Sequence, residues 1–122
     1  MRESTHALPL TLDAGTAQIR SADWGEMTCA HMTMEKGVDF TPLLEGLQDD
    51  HCQVPHWGFV IEGRVHVTYT DGTEETVEGG QLYYWPPGHT VRFEEDTEYV
   101  EFSPQTGMQG VLEHVQAKLA AA

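Results

Sequence analysis

Three residues of this 122-residue chain have the types and spacing to hold a metal ion: Cys52, His56 and His89. A thiolate and neutral imidazoles are good ligands for divalent transition metals, and they suit zinc especially. Cys52 and His56 stand four apart, but Pro55 between them forbids a regular helix. The pair must therefore converge from a loop into the start of a strand. His89 follows the turn Pro86-Pro87-Gly88 at the head of another strand, placed to look back at the same mouth. A fourth position is open to Asp50, His51 or water, and we read it as vacant or taken by His51.

The other candidates are weaker. His31 and His66 sit within β-like runs and read as strand or wall residues, while His6 and His114 read as solvent-facing. Glu62 and Glu101 are the carboxylates expected on strands, and either would serve as a general base if it points inward. Trp57, Phe59, Tyr83, Tyr84 and Trp85 are enough to line a pocket, although aromatic residues in a small β domain are core by default. Tyr83 and Trp85 share one parity, so one set faces inward.

The elements that must position these groups are mostly strands. Residues 1–16 lack periodicity and read as an irregular arm ending in an edge strand. Thr16 to Trp24 and Glu26 to Lys36 alternate, with Thr28, Ala30, Met32 and Met34 on one parity and Met27, Cys29 and His31 on the other. Thr41-Pro42 predicts a short helical turn, Thr41 capping it, before the acidic loop Asp49-Asp50. From Trp57 the pattern is strongly β to Ile61, then alternates from Val65 to Tyr69. Asp71-Gly72 marks a hairpin, Gly79-Gly80 and Pro86-Pro87-Gly88 mark turns, and Thr90 to Phe93 and Glu98 to Phe102 are further strands. After Pro104 the period changes: Met108, Val111, Leu112, Val115 and Leu119 share one face of a helix over 105–120. That face must pack on the outside of the strands or against a second subunit. Short strands with regularly spaced turns predict an antiparallel sandwich or barrel in one domain spanning 1–122.

Composition narrows the partners. Twenty acidic against six basic residues give a net charge of −14, which repels nucleic-acid phosphates and anionic lipid. No apolar run approaches the length of a membrane span. With Cys29 and Cys52 the only cysteines, reduced thiols in a soluble cytoplasmic protein are expected.

The central stretch resembles the conserved region of the cupin superfamily, small β-barrels whose two short motifs furnish a metal site. Gly80, the five residues QLYYW and Pro86-Pro87-Gly88 match the opening of the second motif, and Val60 to Val67 (VIEGRVHV) resembles the strand-Gly-strand signature of the first. Counting back seven from Gly63 places His56 where the family has a metal-binding Glu; Cys52 then stands for the second histidine and Asp50 for the first. Val91 occupies the last ligand position. His89 precedes it by two residues, a step that keeps a strand side chain on the same face and moves it about 6 to 7 Å.

The resemblance implies an all-β fold, a cupin-type antiparallel β-barrel or jelly roll with a C-terminal α-helix. It also implies a divalent transition metal, zinc in the first place with iron, manganese or nickel as alternatives, and pairing into a homodimer through an edge strand or outer sheet. The function expected is binding or transformation of a small organic molecule at a metal centre. The alternative is a non-enzymatic binding or structural module in which the Cys/His cluster staples the strands.

Overall fold

Period-2 alternation becomes two opposed sheet faces. The computed structural model describes residues 1–121, and among them nine strands form two antiparallel sheets. The strands are β1 (Leu10–Asp13), β2 (Ala17–Trp24), β3 (Met27–Met34), β4 (His56–Glu62), β5 (Arg64–Tyr69), β6 (Glu74–Glu78), β7 (Leu82–Trp85), β8 (His89–Phe93) and β9 (Thr97–Pro104). Six pair in the order β1-β2-β3-β9-β4-β7; the other three pair as β6-β5-β8. The single helix α1 (Gln105–Ala121) follows directly on β9.

The core lies between the sheets. Val60 on β4 and Val65 and Val67 on β5 are fully buried in one cluster with Trp85, Phe93 and Tyr99. A buried valine side chain contributes about 1.5–3 kcal/mol, enough to offset the roughly 1–2 kcal/mol of fixing its own backbone. On β3 the parity of Thr28, Ala30, Met32 and Met34 faces the core, and Cys29 is half-buried on the other side. On β9, Tyr99, Glu101 and Ser103 point inward and Phe102 outward.

The architecture is the expected all-β one of antiparallel strands with a C-terminal helix, and its two sheets are not closed. Among the described residues no strand pairing joins the two sheets into a closed ring. One free edge of the small sheet, that of β8, is instead covered by irregular chain. Phe93 N–H donates to Val38 O and Phe40 N–H to Val91 O, at 2.8 and 3.0 Å. An edge covered in this way is protected without needing another strand.

Two smaller expectations are corrected. Thr41 does not cap the 3₁₀ turn Thr41–Leu44: Phe40 holds that position, and Thr41 Oγ1 shares a 2.9 Å hydrogen bond with Thr90 Oγ1. Its backbone N–H is satisfied by Asp39 Oδ1 instead. His114 does not face solvent freely, because its Nε2–H donates to Glu45 O at 2.7 Å and ties α1 to the 41–50 segment.

The helix occupies the range expected, and its apolar face is used within the chain. Met108 and Val115 are buried, and Val111, Leu112 and Leu119 pack against the core between the sheets. No helix among the described residues is long and apolar enough to cross a membrane.

Gly58 on β4 faces Tyr83 so closely that an added Cβ would overlap its ring, and would lie 2.5 Å from Val100 O. Gly58→Ala is therefore expected to lower stability by about 1–3 kcal/mol. A urea midpoint equal to that of the parent would show that the strands yield there without cost.

Candidate metal centre

Backbone hydrogen bonds bring the Cys52 loop and the Pro-Pro-Gly turn together. Cys52 N–H donates to His89 O at 2.8 Å, while Gly88 N–H and His89 N–H donate to Cys52 O at 2.8 and 3.2 Å. Gly88 adopts φ +90°, in the left-handed region that favours glycine, and a Cβ there would come within 2.9 Å of Thr70 Oγ1. His56 begins β4 on its inner face, opposite Trp85 in the ladder.

The side chains then converge. One ligand atom each from Cys52, His56 and His89 lies within 4.8 Å of the other two, and all three residues are buried. His56 Nε2 is 3.5 Å from Cys52 Sγ. That is close to the roughly 3.6 Å separating a sulfur and a nitrogen ligand around a tetrahedral zinc. The remote ring nitrogens are tied off: His89 Nδ1–H donates to Pro86 O at 2.8 Å, and His56 Nδ1 is 2.6 Å from Ser103 Oγ. Second partners of this kind fix the ring orientation and leave Nε2 free as the ligand atom. The donor set fits a borderline-soft divalent ion.

Burial decides the charge state of the group. It pushes the Cys52 thiol up to about 12, opposed by a backbone hydrogen bond of Val54 and helped by the neighbouring Glu101 charge. It holds His89 down to about 4 and His56 well below its usual range. Glu101, 3% exposed, is pushed up to about 8 by burial although Tyr83 O–H donates to its Oε1 at 2.7 Å. Glu101 Oε2 and His56 Nδ1 are 3.6 Å apart. With both partners driven toward neutrality, that contact is not an ion pair at pH 7.

The remaining candidates are placed elsewhere. His51 is half-buried outside the cluster, its Nδ1–H donating to Asp49 O at 2.6 Å, and Asp50 Oδ1 accepts from Gly46 N–H at 2.9 Å. Neither side chain joins the three. His31 pairs with Glu98 and His66 with Glu74, and Glu62 is exposed. Glu101 is the inward carboxylate of the two proposed from sequence. Ser103, the Nδ1 partner of His56, was missed; its parity with Tyr99 and Glu101 on β9 is the signal that would have found it.

Beside the three ligands lies a cavity of about 50 Å³ between the sheets. Glu101, Trp85 and Tyr99 line one part of it, and Met108, Val111, Leu112 and Val115 of α1 close it.

Comparison with solved structures places this architecture. The chain superposes on an RmlC-like cupin from Shewanella frigidimarina with a TM-score of 0.60 at 15% identity, covering 84% of this chain and 87% of that one. The fold is that of the cupins. An oxalate decarboxylase mutant from Bacillus subtilis matches with a TM-score of 0.63 at 20% identity, over 84% of this chain and 28% of the enzyme. This chain therefore spans little more than a quarter of that enzyme. A putative ethanolamine utilization protein Q from Salmonella typhimurium matches at 0.53 and 11% identity, over 72% and 68% of the two chains. No protein-family model and no curated protein sequence matches the chain.

The pKa shifts give the metal-free protein a pH dependence of definite sign. Glu101 is raised from 4.5 to about 8, so its contribution to stability is full below pH 4.5 and is lost as pH rises through 8. His89 acts oppositely, contributing fully above 6.5 and losing that as pH falls through about 4, and His56, held well below its usual range by burial, acts in the same direction. Metal-free stability should therefore peak near pH 6.5 and fall by about 1 kcal/mol on going to pH 8.5, the roughly 2 kcal/mol lost at Glu101 being partly offset by the two histidines, at 1.36 kcal/mol per unit. Urea unfolding across this range checks it: Glu101→Gln should abolish the alkaline decline, and an unchanged decline would assign it to other groups.

Proposed function

We propose that this cupin binds one divalent transition metal, zinc in the first place, through Cys52, His56 and His89, and that it binds or transforms a small organic molecule in the adjoining cavity. The observation that carries the reading is the convergence of three buried ligand atoms whose rings are already oriented by Ser103 and Pro86. A metal held there supplies Lewis-acid polarisation of a ligand oxygen or acidifies a bound water. Cys52 must give up its proton to serve as a ligand, whereas both imidazoles are already neutral at pH 7. Apolar side chains of β8 and α1 line the cavity beside the site.

The staple reading is less well supported. The Cys52 loop and the 86–89 turn are already joined by three backbone hydrogen bonds, so a metal is not needed to hold them together. A cavity beside the ligands is also of no use to a staple.

Zinc content after purification, and zinc affinity by calorimetry, test the site. The parent should bind one zinc per chain, and Cys52→Ser and His56→Ala should each bind at least about tenfold more weakly. In a Glu101→Gln background, uptake at pH 7 should release about one proton, read from buffers of different ionisation enthalpy. Undiminished zinc in both ligand variants would end this reading.

We also propose a homodimer through the outer face of the six-stranded sheet. Trp57 and Tyr84 stack at 5.2 Å and are 45% and 49% exposed. Cross-strand register extends the strip to Phe102 on one side, and Phe59 pairs with the 82% exposed Leu82. On a chain of net charge −14, this uncharged strip is a face where two copies can meet without opposing carboxylates. Sedimentation should show a dimer that Trp57→Glu dissociates with zinc uptake intact. A parent that stays monomeric at roughly 100 μM would refute it.

A further inference from the structure

At the candidate metal centre the number of donors matters as much as their identity. Resting on the metal reading above, we propose that the same site takes copper(I), held by Cys52 Sγ, His56 Nε2 and His89 Nε2 in a three-coordinate arrangement, and that it holds this ion more tightly than zinc.

Coordination number comes first. Cys52, His56 and His89 form a group of three, and among the described residues no further histidine, cysteine, aspartate or glutamate places a ligand atom within the same 4.8 Å. His51 and Asp50, the sequence neighbours that could supply a fourth, are engaged with backbone partners instead. Zinc is almost always four-coordinate, and where the protein supplies three donors it takes a water as the fourth. A buried water needs two to four polar partners. Apart from the three ligands, the side chains lining the adjoining cavity are mainly apolar, and Tyr99 and Glu101 are the oxygen-bearing ones.

Copper(I) makes no such demand. A filled-shell monovalent ion accepts three donors when one of them is soft, and thiolates and thioethers are the ligands that select it. Two imidazoles and a thiolate form the trigonal set that suits copper. Beyond Cys52, the sulfur-bearing side chains that line the cavity are the thioethers Met32 and Met108.

Charge points the same way. All three ligand residues are buried, and Cys52 enters the shell as a thiolate. Copper(I) with one thiolate and two neutral imidazoles leaves no net charge. Zinc leaves one positive charge uncompensated, which is costly among buried groups unless a counter-charge lies beside it. A second thiolate is not at hand, since Cys29 is half-buried on the other side of β3. The carboxyl of Glu101 would have to ionise beside zinc. Beside copper(I) it need not.

Anaerobic competition titrations test this, in a Cys29→Ser background so that Cys52 is the one thiol. Chromophoric chelators of known affinity set the free concentration of each ion. One copper(I) per chain should bind, and one equivalent should displace zinc from the zinc-loaded protein, with a Kd at least about tenfold below that for zinc. Copper K-edge absorption should read a sulfur and two nitrogen neighbours. Cys52→Ser should lose copper(I) affinity at least about tenfold more than it loses zinc affinity. Cys52→His, which keeps three donors but no thiolate, should retain zinc and prefer it to copper(I). Zinc that stays bound at one copper(I) equivalent would overturn the inference and leave the metal reading standing. A copper shell without sulfur, or one completed by a fourth oxygen neighbour, would also overturn it. If neither ion is held less tightly by Cys52→Ser, the metal reading falls and this inference falls with it.

Discussion

The site depends on the backbone clamp between Cys52 and His89. Three hydrogen bonds hold the loop that carries the thiol against the turn that carries the imidazole. The Cys52 loop belongs to no ladder at this point, whereas His89 opens β8 opposite Tyr69, and the pairing between the two is an isolated bridge. Isolated pairing of this kind is weak alone, yet it is sheltered here: Cys52 and His89 are buried, and Gly88 lets the turn close against Thr70. The clamp sets how far Cys52 can move from His89. It does so before any ligand arrives, which makes the site preorganised.

Burial then sets the chemistry that the clamp can support. With Cys52 driven toward the thiol, His56 and His89 toward neutral imidazole and Glu101 toward the acid, the interior near pH 7 is close to uncharged. A −14 chain thus keeps its charges on the surface and a neutral, hydrogen-bonded cluster inside. Tyr83 contributes by donating to Glu101, and Ser103 by engaging His56, so no cation is needed to satisfy the carboxyl. The cost of this arrangement is that an entering dication must displace the thiol proton. The metal affinity of such a site is consequently tied to pH.

Much of the fold was legible in the sequence, because its strands are two-sided. Where one face is buried, period-2 alternation is imposed by the core, and β2, β3, β5 and β9 were read within a residue or two of their ends. The helix was legible for the same reason, its apolar stripe being the face that closes the sandwich. Chain that satisfies its backbone by irregular pairing was not legible. Residues 37–52 follow β8 through isolated hydrogen bonds, with Asp49 and Asp50 both at positive φ, and no periodicity records such a path. This is why the cap at Thr41 was misassigned and why His51 was grouped with the cluster: its direction is set by an adjacent carbonyl, Asp49 O, rather than by a strand face.

The displacement of the ligand from position 91 to position 89 has a structural explanation in the register of β8. His89, Val91 and Phe93 are all buried, and His89 and Val91 line the same cavity, so moving a ligand by two residues keeps it on the same wall. It also moves it along β8, from the rung opposite Val67 to the rung opposite Tyr69. At that rung, and not at Val91, the chain of Cys52 crosses. A histidine at 91 would lie two residues further along β8 from that bridge, on the wall of a cavity that Leu12 and Ile19 also line. Valine there keeps that part aliphatic. A ligand set that used Cys52 and His89 in place of a histidine at 91 would therefore lie nearer the Pro-Pro-Gly turn, with Val91 as wall.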